Sequence, residues 1–250
     1  LTIPPGSDVS WIQLRQFQYA YNENIKGEPG GIAVLGMLAD TPSPPRPGSL
    51  PLLFDSTLIR EGGSVGFMLS RRTFMQHVVL SGLPGMFAGS DTSQFCLDHD
   101  VIRNNGNISL NRMNGYTPHF YHLEMAVLDN RIVLNSQGRC DVVPNSSYVS
   151  FSLSAVYIPQ LSIKSGQYVI TLASAQKPVF SSEAHDTAAK IFWIFGGWVV
   201  DALVQGIRSQ MHDLLFEFSH KMCFDVEPVK FSTDVGYREC GLADNFYMRD

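Results

Sequence analysis

Three short motifs contain residue types that could do chemistry, and the first is GGSVG at positions 62–66. It fits the G-x-S-x-G pattern of a hydrolase nucleophile elbow, in which a strand ends at the serine and a helix begins directly after it. Here turn residues precede Ser64 and a strand-like run follows it, while the next helix is predicted only after Ser70. This order disfavours a serine nucleophile.

The other two motifs contain histidine: the triplet DHD at 98–100, and the pair His119 and His122. The triplet could bind a cation or orient a base, but such a sequence is more typical of a solvated turn. The pair lies three residues apart on a predicted strand, so the two side chains would project from opposite faces and could not share a metal ion. His212 and His220, on a predicted helix, would lie about 80° apart around its axis. We therefore predict no catalytic residue, no metal site and no cofactor.

The composition and charge disfavour several classes of protein. Of 250 residues, 44% are hydrophobic and 16% are charged, with a net charge of −5, whereas a charged fraction near a quarter is usual. No basic cluster exceeds Arg71-Arg72, so we predict no nucleic-acid partner. The four cysteines are far apart and form no C-x-x-C motif, which disfavours a zinc site. No signal-peptide pattern follows Leu1. We expect a soluble chain and make no prediction of its cellular compartment.

Alternating and β-branched runs predict an antiparallel sheet in the middle of the chain. Strands are expected at 11–21, 31–38, 64–69, 107–112, 120–128, 131–137, 148–158 and 167–172. In the run 148–158, the apolar residues at 149, 151, 153 and 155 take one face and serines take the other, which indicates a sheet with one buried face. Asp129-Asn130 is a two-residue hairpin signal. A short helix is expected from its cap Ser70 to about Leu80.

A long helix is predicted near the C-terminus. From 183 to about 222, apolar residues recur every three or four positions without a proline. Such a helix would be about 60 Å long at 1.5 Å per residue, with Ser182 as its cap. Its most apolar part, IFWIFGGWVVDALV at 191–204, is shorter than the roughly 20 residues of a membrane span. It also contains Asp201, which we expect to face water. Gly196, Gly197 and Gly206 indicate a kink, room for a ligand or, as the favoured interpretation, close packing.

The order of elements is α+β and predicts a long amphipathic helix wrapped by a highly curved antiparallel sheet, plus one short helix. The segments WIQLRQFQYAY at 11–21, GIAVLGML at 31–38 and VGFMLSRRTFMQHVVLSGLP at 65–84 resemble the tubular lipid-binding (TULIP) superfamily. The nearer branch is similar to the 47-kilodalton and OrfX-type proteins that are encoded beside clostridial botulinum-type toxin genes, with relatives in other bacteria. The resemblance implies a single domain over residues 1–250, preceded in the family pattern by further strands. It brings no catalytic motif.

The resemblance also implies a function, namely binding of a lipid or another hydrophobic small molecule in a groove between the long helix and the sheet, and assembly with related proteins. We expect the groove to be lined by Phe192, Phe195, Trp198, Val199 and Leu203 of the helix, facing Phe151 and Leu153 of a strand. Two alternatives stay open. One is a structural subunit without a ligand, which pairs with a homologous protein or with itself. The other is an enzyme that uses the apolar cavity, with His122 or Glu124 as candidate acid–base groups.

Overall fold

A computed structural model of the chain describes residues 11–20, 31–39, 66–84, 87, 90–143, 147–164, 167–186, 197–221, 224–226 and 237–249. The helices are α1 (Arg71–Phe74), which continues as a π-helical stretch over Met75–Leu80, and α2 (Gly197–Lys221), and a single 3₁₀ turn lies at Thr92–Gln94. The strands, in chain order, are β1 (Trp11–Ala20), β2 (Gly31–Ala39), β3 (Gly66–Ser70), β4 (Phe95–Asp98), β5 (Val101–Asn104), β6 (Ile108–Ser109), β7 (His119–Leu128), β8 (Arg131–Val143), β9 (Ser147–Lys164), β10 (Gln167–Ser174), β11 (Val179–Asp186), β12 (Phe224–Val226), β13 (Glu239–Leu242) and β14 (Asn245–Arg249).

The largest sheet is antiparallel and is organised around β9. Its strand order is β12-β10-β9-β8-β7-β5-β4, with β6 also paired to β7. Strand β9 is 18 residues long, and β8 pairs with one of its edges. Along the other edge β10 and β11 lie end to end, so that Ser174 pairs with Tyr157 and Val179 pairs with Ser154. The described residues therefore form mostly antiparallel β-sheet, together with the two α-helices and the short 3₁₀ turn.

The alternation predicted for residues 148–158 is confirmed. The apolar residues at every second position from Val149 to Ala155 are each at most 4% exposed, whereas the serines between them are partly exposed. The hairpin signal is also confirmed, because Asp129 and Asn130 have φ values of 48° and 61°. Two consecutive left-handed residues are what a two-residue type I′ turn requires. The buried side of the sheet is termed the inner face below, and its opposite side the outer face.

The predicted helix over 183–222 is wrong in its first part, because Val179–Asp186 forms strand β11. Ser182 is therefore a strand residue and not a helix cap. All of β11 pairs with the edge of β9 that extends beyond β10, and this edge provides the backbone hydrogen-bond partners that a helix would have provided internally. Helix α2 has 25 residues, a length of about 37 Å at 1.5 Å per residue. Residues 187–196 lie outside the described part of the chain, and the lengthwise wrapping of a helix by the sheet stays a prediction.

Helix α1 begins after Ser70 as predicted, because the Ser70 hydroxyl accepts a hydrogen bond from the Thr73 N–H at 3.2 Å. The helix packs on a second sheet of order β13-β14-β3. Phe74 of α1 stacks on Phe246 of β14, with ring centroids 4.7 Å apart. The strands predicted at 11–21 and 31–38 are confirmed as β1 and β2, which pair with each other.

Candidate functional site

Helix α2 turns one buried stripe towards the largest sheet. Leu203, Ile207 and Met211 recur at four-residue intervals, which places them on one side of a helix, and they are 0%, 0% and 1% exposed. The helix contacts β9, β10 and β11. Asp201 and Gln205 are exposed, so the prediction that Asp201 faces water is confirmed. Among the described residues, no helix is long and apolar enough to cross a membrane.

The inner face of the sheet provides the opposing apolar surface. Phe151 and Leu153 of β9 are 3% and 4% exposed and belong to the same apolar cluster as the helix stripe. The Phe151 ring lies directly over Gly138 of β8, since a Cβ at that glycine would be 2.2 Å from the ring. The same ring meets Phe120 edge-on, with centroids 5.5 Å apart. We term the interface between the helix stripe and the inner face the helix–sheet seam.

The predicted groove residues are placed differently with respect to this seam. Leu203, Phe151 and Leu153 are buried, and all three belong to the apolar cluster that includes both sides of the seam. Trp198 and Val199 belong to the first turn of α2, and the predicted positions 192 and 195 lie outside the described residues. Protein atoms cover the three buried side chains almost completely, and their contact with a ligand stays a prediction.

A loop between β6 and β7, the strap (residues 110–118), runs along one flank of α2. The Gln210 side-chain amide donates a hydrogen bond to the Asn111 carbonyl at 2.9 Å and accepts one from the Asn111 N–H at 3.1 Å. One helical turn earlier, a Cβ at Gly206 would be 2.6 Å from the Met113 Sδ. Gly206 therefore permits a close approach between helix and strap. The glycine was the one sequence signal for this contact, because the other three residues form no motif.

The strap is also held together by its own hydrogen bonds. At its base the Leu110 N–H donates to the Pro118 carbonyl at 2.8 Å, and at its tip Met113 and Tyr116 exchange two backbone hydrogen bonds of 2.8 Å. The two residues between them have φ values of 48° and 90°, which is the left-handed conformation of a tight turn. The strap is thus a small folded unit at the side of the helix.

The opposite side of α2 is connected to strand β11. The Arg208 guanidinium carbon lies 5.6 Å from the centroid of the Phe180 ring, within the range of a cation–π interaction. Strand β11 is itself paired with β9 over its whole length. This flank of the helix therefore belongs to the sheet, whereas the other flank is covered by a loop.

The histidine pair lies on the outer face, away from the seam. A β-bulge at Tyr121 inserts one residue into β7, so that Phe120 and Leu123 are both buried although they are three residues apart. His119 and His122 consequently share the outer face, and the prediction that they project from opposite faces is wrong because the bulge shifts the alternation. The described residues contain no group of three or more His, Cys, Asp or Glu side chains that could hold a metal ion.

The candidate acid–base residue Glu124 also lies on the outer face. Its carboxylate accepts a hydrogen bond from Arg103 Nε at 3.2 Å, and the same guanidinium donates to Asp98 at 2.9 Å. Asp98 is the last residue of β4, and His99 and Asp100 form the turn to β5 with φ values of 46° and 66°. The His99 side chain is 94% exposed, which confirms a solvated turn. These groups point away from the apolar interior.

The described cysteines are all free thiols. Burial, with a smaller contribution from Asp141, raises the pKa of the Cys140 thiol to about 11. Burial, with a smaller contribution from Glu239, raises the pKa of the Cys240 thiol to about 12. The thiolate is the nucleophilic form of cysteine, so both thiols are poor nucleophiles at neutral pH.

Comparisons with known proteins agree with the branch that the sequence resembles. A family model named OrfX-like, described as Protein OrfX2/OrfX3/P47, matches residues 2–217. The solved structure of P47 from Clostridium botulinum A2 is 14% identical with a TM-score of 0.63, over 99% of this chain and 60% of that one. The crystal structure of P47 of Clostridium botulinum E1 is 14% identical with a TM-score of 0.58, over 99% of this chain and 62% of that one. The chain spans about three-fifths of the length of these proteins, and at this identity the likeness shows the fold alone. A comparison with curated proteins gives no match.

Proposed function

The chain belongs to the OrfX-like family of OrfX2/OrfX3/P47 proteins, and we propose that it binds a lipid or another hydrophobic small molecule in the helix–sheet seam. The resemblance to OrfX-type and 47-kilodalton proteins is thereby confirmed, whereas membership of the wider TULIP superfamily stays a prediction. As part of the proposal, the sheet curves around the helix in the TULIP manner. Contact of the ligand with the predicted groove residues Phe192 and Phe195 is also part of the proposal.

The apolar character of both sides of the seam carries the proposal. The helix stripe and the inner-face residues Phe151 and Leu153 belong to one apolar cluster. The buried polar or charged residues in the described part of the chain are Ser136 and Ser147, and neither side chain carries a charge. Such surfaces accept an acyl chain by partition, at about 25 cal/mol per Å² of apolar area removed from water. With few polar contacts, selectivity between different chains should be weak.

The described part of the seam is closed, so a ligand has to displace the helix stripe from the sheet. Burial of one large aliphatic side chain contributes about 1.5–3 kcal/mol, and separating three of them from the sheet costs roughly 5–9 kcal/mol by the same measure. An acyl chain gains about 0.8 kcal/mol for each methylene that it buries. Roughly six to eleven methylenes are needed to balance that cost. Palmitate should therefore bind, and hexanoate should not.

Photo-crosslinking with a diazirine analogue of palmitate tests where the ligand binds. Adducts are expected in peptides from β9 and α2. Leu203→Gln places a polar amide in the seam and should weaken palmitate binding about tenfold or more. The matched control Leu128→Gln changes a leucine that is 54% exposed and should leave the affinity unchanged. Circular dichroism establishes that both variants fold. Adducts confined to outer-face peptides, or equal affinities for palmitate and hexanoate, would exclude the seam as the binding site.

The tight closure of the seam favours a second function, that of a structural subunit without a ligand. Apolar residues covered on every side are what an ordinary protein core contains. In that case the chain would pair with a homologous protein or with a second copy, as a subunit of a toxin-cluster-type complex. Light scattering of the chain, alone and mixed with the products of neighbouring genes, separates the two functions. A stable complex combined with no uptake of a fluorescent fatty acid favours the structural subunit.

The enzyme alternative gains no support from the geometry. His122 and Glu124 were its candidate acid–base groups, and both lie on the outer face while their neighbour Leu123 is buried. A substrate held in the seam would be on the other side of the sheet.

A further inference from the structure

We propose that the strap is the gate through which a hydrophobic ligand enters and leaves the helix–sheet seam, an inference that rests on the function proposed above. The strap lies along the flank of α2 that carries Gly206 and Gln210. A ligand that approaches the buried stripe from this flank meets the strap first. The strap must therefore separate from the helix before the ligand can enter.

The strap can leave the helix without losing its own structure. Its base and its tip are each closed by backbone hydrogen bonds within the loop. Its contacts with α2 include the two hydrogen bonds between Gln210 and Asn111 and the contact of Met113 with Gly206. Asn111 is exposed and Gln210 is half-buried, so water replaces both hydrogen bonds on opening. Leu110 at the base of the strap is 4% exposed and stays in the core, so the part that moves is the tip, whose partly buried Met113 and Tyr116 leave the apolar cluster. Opening leaves no polar group of the Asn111–Gln210 pair unsatisfied.

The opposite flank is not suited to opening. Strand β11 pairs with β9 from Val179 to Asp186, and Arg208 lies over Phe180 of that strand. Moving this flank away from the helix would break hydrogen bonds of the largest sheet. Of the two flanks, the strap is the one whose tip can open without breaking hydrogen bonds of the largest sheet.

A disulfide between strap and helix tests the gate. The Met113 Cγ lies 3.8 Å from the position of a Cβ on Gly206. In Met113→Cys the new Sγ takes the position of this Cγ, and a disulfide with an S–S bond of about 2.04 Å holds each Sγ roughly 3 Å from the Cβ of its partner. A movement of about 1 Å between strap and helix therefore brings the thiols of Met113→Cys and Gly206→Cys to bonding distance. The pair is made in a Cys96→Ser background, which removes an exposed native thiol. Stopped-flow fluorescence follows the uptake of a fluorescent palmitate analogue by the oxidised protein and by the same protein reduced with dithiothreitol.

We expect uptake by the oxidised protein to be at least ten times slower than by the reduced protein. Release from protein that was loaded before oxidation should slow by a similar factor. Gln210→Ala, which removes both hydrogen bonds to the strap, should accelerate uptake severalfold in the otherwise unchanged protein. The matched control Gln205→Ala makes the same substitution at an exposed position of the same helix and should leave the rate unchanged.

Each remaining outcome overturns a defined part of the proposal. Equal uptake rates in oxidised and reduced protein, with the disulfide verified by mass spectrometry, overturn the gate and leave ligand binding intact. If the disulfide does not form, equal rates for Gln210→Ala and Gln205→Ala overturn the gate in the same way. No uptake by the parent protein or by any variant overturns the proposed function, and the gate with it.

Discussion

Replacing Gly138 by alanine should destabilise the protein, because Phe151 occupies the space in which the new Cβ would lie. An ideal Cβ at position 138 is 2.2 Å from two ring carbons of Phe151 and 2.8 Å from the His119 carbonyl oxygen. Contacts this short require the neighbours to move. The ring is 3% exposed and the carbonyl belongs to the backbone of β7, so neither can move freely. Packing therefore requires glycine at this position.

The magnitude follows from two opposing effects. Overpacking a buried site costs about 1–3 kcal/mol, and the upper part of this range applies here because the short contacts involve a buried ring and a backbone carbonyl. Replacing a glycine within a strand recovers about 0.5–1 kcal/mol of conformational entropy, so the free energy of unfolding should fall by about 1–2 kcal/mol. In a chain of this size, that loss lowers Tm by about 2–8 °C. Urea unfolding followed by tryptophan fluorescence measures the free energy, and calorimetry measures Tm.

A double-mutant cycle with Phe151→Ala isolates the contact. Phe151→Ala alone should cost about 3–5 kcal/mol, and Gly138→Ala should cost about 1 kcal/mol less in that background than in the parent. The control Ser152→Ala, at the outer-face neighbour of Phe151, should change stability by less than about 0.5 kcal/mol. A Gly138→Ala protein as stable as the parent, or additive effects of the two substitutions, would refute the packing of the ring on the glycine.

Three further predictions concern the strap, a buried thiol and the outer face. Gly206→Ala should change the stability of the parent little, because the Met113 sulfur has to move aside. In a Met113→Ala protein the same substitution should stabilise by about 0.5–1 kcal/mol through the helix propensity of alanine. An equal effect in both backgrounds, measured by urea unfolding, would contradict this. Burial raises the pKa of the Cys140 thiol from 9.0 to about 11, so the unfolded state loses this proton first as the pH rises. Between about pH 9 and pH 11 the parent should therefore lose roughly 2 kcal/mol more stability than Cys140→Ala. A difference in stability between the two proteins that does not change with pH would count against a buried thiol. Arg103→Ala should lower stability by less than about 1 kcal/mol, because the two carboxylate partners of Arg103 are partly exposed. The loss should be smaller still at high salt. A larger loss that does not depend on salt, measured by urea unfolding, would show that the ion pairs are not solvated.

Local sequence patterns were sufficient to predict which side of a strand or a helix is buried. From Val149 to Ala155 every second residue is apolar, and a period of two assigns these residues to one side of a strand. The spacing of Leu203 and its neighbours likewise assigns them to one side of a helix. The turn at Asp129-Asn130 follows from the preference of these residues for left-handed conformations. The sequence was therefore sufficient to predict which residues of β9 and α2 are buried in the core.

The remainder depends on contacts between distant parts of the chain. The sequence of β11 is also compatible with a helix, and the length of the β9 edge decides its conformation. The bulge at Tyr121 reverses the alternation of β7, and no local pattern reports it, so the faces of His119 and His122 were not predictable. The strap contact joins Asn111 to Gln210, which are 99 positions apart. Neither residue has a signature that would indicate the other.

Native mass spectrometry of protein purified without detergent tests the proposed ligand binding most directly. We expect part of the protein to carry an added mass equal to that of a fatty acid or a phospholipid, which organic extraction releases and identifies. Palmitate added to ligand-free protein should restore an adduct, and hexanoate should not. A single ligand-free mass, together with no uptake of a fluorescent palmitate analogue, would contradict binding in the helix–sheet seam and favour the structural subunit.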